Sequence, residues 1–273
     1  MTTPATASCQ TIMNSISESY TEEAWSLISI ESVAMTASAT NLLLECLAKS
    51  DKIATEGYKS ITFMRWTSLD GLLDSDVLTM LADASKNAES FTFDQQSSLG
   101  FTSSLTSDQQ FQLADFSTTM LNTSSMLQEV EVLDLSMEIT AEQTTTILTN
   151  WSQSTNIAAT TLTTLALEYA NFSTVAASQA LASLVNVAPQ ATLFNIEEQN
   201  VDRPVRIVVT PASTDSDGSI TINNLITNEL VYTMITTRSM IPSVWYGDVI
   251  ALSLFSLDAL VKLNFNQYDV PYP

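Results

Sequence analysis

The amino-acid sequence predicts an α+β protein, mainly α, in which a long antiparallel helical bundle is followed by a small antiparallel β domain. The first observation is the placement of proline, which is absent between Pro4 and Pro189 and frequent from there to the C-terminus. The second is glycine, which is absent between Gly100 and Gly218. Because both residues interrupt helices, their absence favours long helices in the first two thirds of the chain.

The boundary between the two parts is predicted where the prolines return, in VAPQATLFNIEEQNVDRP. The third observation is the alternating, β-branched sequence beyond this point. The bundle is then expected to cover residues 1–190, a linker residues 191–204, and the β domain, either a sandwich or a docked sheet, residues 205–273. No internal repeat is predicted from the sequence.

The longest predicted helix runs from Thr140 to Val187. Thr140 and Gln143 have the spacing of a capping box, in which two side chains satisfy backbone N–H groups at a helix start. Large residues follow at steps of three, four and seven, which places them on one stripe of a helix. The candidate assembly or membrane face on this stripe consists of Trp151, Leu162, Leu165, Tyr169 and Phe172.

Further helices are predicted before this one. Ser107 is the expected N-cap of a helix whose apolar residues recur at helical spacing as far as Val130, and a bend near Asp134–Thr140 would fold it back on the longest helix. A shorter helix is predicted over Asp74–Lys86, and an early one from Thr21 towards Gly57. Between these two, SITFMRWTSLDG fits either a helix or a strand.

Five segments of the tail are predicted strands, because β-branched and aromatic residues alternate in them with polar residues. They are PVRIVVTP, GSITINNLI, ELVYTMITTRSM, VWYGDVIALSLF and ALVKLNFNQYDV.

Composition and charge restrict the function. The chain has nine Lys and Arg against thirty Asp and Glu, a formal net charge of −21. Neutralising phosphates requires clustered cations, so direct nucleic-acid binding is not expected, and attraction to anionic membranes is disfavoured. Charged residues make up 14 %, below the roughly 25 % typical of soluble domains, and Ser and Thr supply much of the polarity. A surface of this kind favours burial against other protein.

Motifs that carry chemistry are scarce. The chain has no histidine, which removes His-based triads and most zinc chemistry, and it has no phosphate loop, dinucleotide fingerprint or nucleophile elbow. Asp215 and Asp217, in STDSDGSITINN, are weak calcium candidates, because Asn224 stands where such loops need a bidentate Glu. The alternative is a polar hairpin turn built on Asp-Gly. No cofactor is expected.

The two cysteines, Cys9 and Cys46, are predicted to be small buried thiols, with a single bridge as the alternative. The N-terminal sequence MTTPATASCQ has neither the basic nor the apolar region of a signal peptide. The chain is therefore expected to be synthesised in the cytosol, and to reside in the virion if it is viral.

These observations predict a non-catalytic structural subunit of a self-assembling particle, such as a viral or phage capsid, decoration or minor virion protein. Its expected partners are other copies of itself or other structural proteins. The alternative is an α-helical pore-forming toxin with a β targeting domain, the one reading that includes a membrane partner. The third hypothesis is an enzyme that uses carboxylate chemistry.

Overall fold

The computed structural model describes residues 9, 11, 25–31, 34–95, 103–133, 139–157, 161–171, 174–188, 193–198, 205–210, 218–224 and 230–236. Within these residues it contains nine β-strands and five α-helices. The strands are β1 (Leu27–Glu31), β2 (Ser60–Met64), β3 (Ser90–Asp94), β4 (Glu129–Leu133), β5 (Thr164–Ala170), β6 (Leu193–Glu198), β7 (Val205–Thr210), β8 (Gly218–Asn224) and β9 (Leu230–Thr236). The helices are α1 (Ala37–Ala48), α2 (Ser75–Asp83), α3 (Ser107–Thr123), α4 (Ala141–Gln153) and α5 (Val175–Val187).

The described strands form one sheet whose spatial order is the order of the sequence, β1 to β9. Strands β1 to β6 pair in parallel, and each connection between them contains one of the described helices. Strands β6 to β9 pair in antiparallel fashion. The predicted fold, a long antiparallel helical bundle followed by an antiparallel β domain, is therefore wrong, and so is the description of the chain as a helical bundle. The protein is an α/β protein built on a parallel sheet.

The parallel part of the chain has the topology of a β-α solenoid. Its six strands begin at residues 27, 60, 90, 129, 164 and 193, so the β-α units follow one another at intervals of 33, 30, 39, 35 and 29 residues. Every crossover moves one strand further in the same direction, and crossovers between parallel strands are right-handed, which places all the helices on one face. Doubly wound α/β folds differ, because their strand order reverses and creates a binding crevice.

The stretch predicted as one helix from Thr140 to Val187 contains a helix, a strand and a second helix: α4, β5 and α5. The prediction failed because Leu162 and Leu165, three residues apart, fit one face of a helix. In the folded chain Leu165 and Leu167 lie on the inner face of β5, whereas Leu162 reaches the same core from the turn before the strand. The Thr-rich sequence around them suits a strand better than a helix.

Each strand turns alternate residues towards the helices. Ile61, Phe91, Val130 and Leu165 are cross-strand neighbours in one such row, and all four are completely buried. The next inner row contains Phe63, whose ring stacks on that of Phe116 of α3 with the ring centroids 5.9 Å apart. The core thus lies between the sheet and a single layer of helices.

Hydrogen bonds also connect each β-α unit to the next. Ser124 Oγ donates to the carbonyl of Ala88 at 2.8 Å, and Thr163 Oγ1 donates to the carbonyl of Gln128 at 3.0 Å. Their sequence separations, 36 and 35 residues, are about one structural repeat. Hydroxyl residues, which are abundant in the composition, therefore join equivalent turns of neighbouring units.

The helix starts follow local chemistry. The predicted capping box at Thr140 and Gln143 is confirmed, with both hydrogen bonds formed. The predicted start of the shorter helix is also confirmed, because Asp74 is the N-cap of α2. The N-cap of α3 is Thr106, one residue before the predicted Ser107.

The cysteines are not free thiols, because Cys9 and Cys46 form a disulfide with their Cα atoms 5.2 Å apart. Three tail segments predicted as strands contain β7, β8 and β9, whereas the two segments beyond residue 236 lie outside the described residues. The division into domains at residues 190 and 204 stays a prediction, although β6 lies in the segment expected to be a linker. Among the helices that the structure describes, none is both long and apolar enough to span a bilayer.

Candidate functional site: the uncovered face of the parallel sheet

The face of the parallel sheet that points away from the helices is the candidate site, and we call it the open face. It consists of the outward residues of β1 to β4, which form three cross-strand rows. The first row is Leu27, Ser60, Ser90 and Glu129; the second is Ser29, Thr62, Thr92 and Glu131; the third is Glu31, Met64, Asp94 and Leu133.

Burial distinguishes this face from the inner one. All twelve residues of the open face are exposed or half-buried, whereas the inner positions of β2, β3 and β4 are completely buried. The contrast ends at β5, where the outward residues Ala166 and Glu168 are buried as well, at 2 % and 9 % exposure. The open face therefore extends across four neighbouring strands and is about 14 Å wide at the usual strand spacing.

The charge of the open face is negative. Four carboxylates lie on it, those of Glu31, Asp94, Glu129 and Glu131, and its three rows contain no Lys or Arg. The remaining positions are mostly Ser and Thr, and the hydroxyl of Ser90 donates to that of Ser60 at 2.8 Å. Carboxylates and hydroxyls arranged at strand spacing can accept hydrogen bonds from ammonium, guanidinium and peptide N–H groups.

Glu131 lies near the centre of these carboxylates. Partial burial raises the pKa of Glu131 above its ordinary value, and the neighbouring carboxylates of Glu129 and Asp94 raise it further. The hydroxyl of Thr92 lies 3.4 Å from Glu131 Oε2 and acts in the opposite direction, lowering the pKa. The folded environment therefore disfavours the charged form of Glu131, and a cation bound on this face would make that form more favourable.

Two cations stand beside the open face: Lys59 directly precedes β2 and pairs with Glu56 and Glu89, and Arg65 lies at the carboxyl end of β2. Arg65 forms an ion pair with Glu31 of β1, and its backbone N–H donates to the carbonyl of Asp94 at 2.8 Å. Its φ of 51° is in the left-handed region, which few residues other than glycine adopt. Tyr169, at the end of β5, has a similar φ of 62°. Both residues therefore place backbone strain at the carboxyl ends of the parallel strands.

Gln95 follows β3 at the same edge of the sheet. Its side chain is buried, and among the described residues neither its carboxamide oxygen nor its nitrogen has a hydrogen-bond partner. The Nε of Arg65 is likewise buried without a partner there. Because these three atoms have almost no solvent-accessible surface, they indicate a local cost in stability and not a binding pocket.

The predicted assembly or membrane face does not exist as one helical stripe. Trp151 belongs to α4, and Leu162 and Leu165 belong to the core beneath β5; all three are completely buried within the chain itself. Tyr169 is half-buried, and Phe172 lies outside the described residues. The burial of Trp151, Leu162 and Leu165 therefore needs no second copy of the protein.

The two calcium candidates, Asp215 and Asp217, also lie outside the described residues. Elsewhere in the described chain, no three His, Cys, Asp or Glu side chains are grouped so as to hold a metal ion.

The residues of the open face were missed, although the sequence contains a signal for them. In four of the parallel strands, two inner residues are separated by one outward residue, and a further core residue lies three positions before the first of them. Leu127, Val130 and Val132 show this spacing, which is typical of solenoid strands. The other repeats are Tyr58, Ile61 and Phe63; Ala88, Phe91 and Phe93; and Leu162, Leu165 and Leu167. The residues between the inner pair are those that form the open face.

Comparison of the chain with models of protein families, with curated proteins and with solved structures gave no match. The function is therefore argued from the geometry of the fold and of the open face.

Proposed function

We propose that the protein is a non-catalytic binding protein, and that its open face takes up a basic segment of a partner protein. The observation that carries this proposal is the asymmetry of the sheet between β1 and β4. One face is buried beneath the helices, completely so at β2, β3 and β4, and the other is left to solvent with four carboxylates and no cation in its rows.

The architecture supports a binding role. Solenoids present broad surfaces to their partners, because each unit adds one strand with outward side chains in register with those of its neighbours. In this chain the register holds without a shift from β1 to β4. An extended polypeptide laid across the strands would meet one outward side chain about every 4.8 Å.

The charge identifies the partner's chemistry. A net charge of −21 attracts cations from a distance and raises the association rate of a basic partner. At short range, Glu129 and Glu131 lie two residues apart on one strand and point to the same side. Lysine or arginine side chains would relieve the repulsion between these carboxylates, whereas an acidic or purely apolar segment would not.

The test is binding of a Lys/Arg-rich peptide of about twelve residues to the full chain, measured by fluorescence anisotropy at about 0.15 M salt, where non-specific attraction is screened. The variant Glu129→Gln/Glu131→Gln is compared with Asp76→Asn/Asp83→Asn. The control carboxylates are exposed on α2, which covers the opposite face of the sheet. Both variants lose two negative charges, so they differ only in the place from which charge is removed.

We expect the open-face variant to weaken binding about tenfold and the α2 variant to change it less than about twofold, as one lost close charge pair is worth roughly 1.4 kcal/mol or more. Equal weakening by both variants would show that the peptide responds to net charge alone, and it would overturn the proposal. So would the absence of any binding.

The assembly-subunit and pore-forming hypotheses stay predictions. Both depended on the long, weakly charged helix from Thr140 to Val187, which the structure replaces with α4, β5 and α5. The described residues offer no separate observation in favour of either function, and none in favour of a carboxylate-based enzyme.

A further inference from the structure

The Cys9–Cys46 disulfide joins the N-terminal end of the chain to the first helix of the solenoid. Cys46 lies in the last turn of α1, and Cys9 precedes β1, the first described strand, by 18 residues. The chain has only these two cysteines, so the bridge has no competing partner and cannot be reshuffled within the molecule. Within the chain, Cys9 and Cys46 can therefore form a disulfide only with each other.

The disulfide is attached to a helix, α1, that is packed against the sheet. Leu44 and Leu47 of this helix belong to the main hydrophobic core, on the side that faces the sheet. Cys46 is only 2 % exposed and is one of the buried residues of this helix as well. Cys9, to which it is bonded, is half-buried. The bridge is thus shielded from solvent at its Cys46 end and more accessible at its Cys9 end.

This position is the end of the solenoid. Of the described helices, only α2 packs against α1, whereas each of α2, α3 and α4 lies between two helices. The end units of a solenoid lack a neighbour on one side and need additional cover to stay folded. A covalent link at α1 supplies such an attachment at the end of the described row of helices.

We propose that the Cys9–Cys46 disulfide is a redox-sensitive lock on the N-terminal unit of the solenoid, formed by β1 and α1. In the oxidised state it holds Cys9 against α1 and keeps this unit folded onto β2. In the reduced state the unit opens locally while the rest of the solenoid stays folded.

Opening requires a dithiol or two monothiol molecules as the reductant. A reductant thiolate attacks one sulfur of the bridge and releases the other as a thiolate, and a second reductant thiolate then resolves the mixed disulfide. Two electrons pass from the reductant, which becomes a disulfide, and Cys9 and Cys46 take up two protons. Because reducing compartments keep thiols free, the lock would be closed in an oxidising compartment and open in a reducing one.

The experiment compares hydrogen exchange of the full chain before and after treatment with dithiothreitol, with thiol titration of the unfolded protein to establish the state of the bridge. We expect no free thiol before reduction and two afterwards. The amides of α1 should then exchange at least about tenfold faster, whereas those of α3 should change less than about twofold, since α3 lies inside the row of helices.

The variant Cys9→Ser separates the lock from a general effect of the reductant. It leaves Cys46 in its buried position, and its α1 amides should exchange as in the reduced protein, with or without dithiothreitol. The proposal is overturned if two thiols titrate in the untreated protein, or if reduction leaves exchange in α1 unchanged. It is also overturned if α1 and α3 accelerate by the same factor, because the bridge would then stabilise the whole chain and not one unit.

Discussion

The indole Nε1 of Trp151 donates a hydrogen bond to the hydroxyl oxygen of Ser117 at 2.7 Å, and both side chains are completely buried. The bond joins α4 to α3 across one structural repeat of 34 residues. Ser117 in turn donates its proton to the carbonyl of Ala114, one turn earlier in α3. A single hydroxyl therefore satisfies a buried donor and a buried acceptor on neighbouring helices.

Replacing Ser117 with Ala should lower the free energy of unfolding by about 1–3 kcal/mol, because the indole N–H would remain buried without an acceptor. Urea denaturation of the full chain measures the change. In the Trp151→Phe background the same substitution should lower the free energy of unfolding clearly less, since no indole N–H is left there without an acceptor. Equal costs in both backgrounds would mean that the two side chains are not coupled.

Gly57 permits a close approach of two backbone segments before β2. Its φ is 80°, and a Cβ at this position would lie 2.5 Å from the carbonyl oxygen of Ala84. That oxygen accepts the N–H of Tyr58 at 3.0 Å, so it cannot move away freely. Gly57→Ala should therefore lower the free energy of unfolding by about 2 kcal/mol or more.

Gly71→Ala is the matched control, because its Cβ would meet only the Cβ of Ala37 at 3.7 Å, an ordinary van der Waals distance. It should change stability by less than about 0.5 kcal/mol in the same thermal or urea experiment. If Gly57→Ala proved as mild as this control, the contact between the two segments would be looser than the structure shows.

Part of the fold could be predicted from the sequence, because some signals are local. The capping box at Thr140 and Gln143 and the helix start at Asp74 were predicted correctly, since a helix start depends on residues within one turn. The strand character of β7 to β9 was also found, because alternation is visible within a single strand.

The parallel sheet could not be found in the same way, because its strands are buried on one face and short. For example, Leu162 before β5 and the inner strand residue Leu165 are three positions apart, a spacing that would also place them on one face of a helix. The absence of Gly and Pro was misleading as well, because four of the five described helices begin at a Thr cap and need neither residue. Only a comparison of successive units, 29–39 residues apart, distinguishes the strands of a parallel sheet from parts of a long helix.

Tyr58 should make the protein sensitive to alkaline pH. Burial raises the pKa of Tyr58 to about 12, and its hydroxyl donates to the carbonyl of Leu47 at 2.8 Å. The unfolded chain loses this proton near pH 10 and the folded chain only near pH 12, so its contribution is complete below about pH 10. The contribution should then be lost as the pH rises from about 10 to 12.

Tyr58→Phe isolates this effect from the other tyrosines. At neutral pH the variant should be less stable by about 1–2 kcal/mol, because the buried carbonyl of Leu47 loses the Tyr58 hydroxyl and keeps only the N–H of Ser50, at 3.3 Å. Between about pH 10 and 12 its stability should fall less steeply than that of the wild type in urea titrations. Parallel curves would contradict the assignment of the raised pKa to Tyr58.

The buried carboxamide of Gln95 should be dispensable for stability. Because it has no partner among the described residues, Gln95→Met should raise the free energy of unfolding by about 1 kcal/mol. The control is Gln110→Met, which removes a completely buried carboxamide that donates to the carbonyl of Leu105 at 3.4 Å, and which should be destabilising. Losses of similar size in both variants would show that Gln95 has a partner in the folded protein.

Glu131 connects the stability of the fold to the open face. Its pKa is raised in the folded state, so the folded chain binds this proton more tightly than the unfolded chain. The associated stability is complete below the ordinary Glu pKa of about 4.5 and is lost as the pH rises through the folded pKa. At pH 7 the charged side chain is therefore a burden, and Glu131→Gln should stabilise the protein by a few tenths to about 1 kcal/mol, the range of cross-strand charge interactions.

The gain from Glu131→Gln should shrink as the pH falls and disappear near pH 4, where the wild-type carboxyl is itself protonated. Urea titrations at about pH 7 and pH 4 measure it, with Asp83→Asn, an exposed carboxylate on α2, as the control for net charge. A variant that gains stability while losing affinity for a basic peptide would show that Glu131 is retained for binding at the expense of the fold. A variant that is less stable than the wild type at pH 7 would show instead that the charged Glu131 supports the sheet.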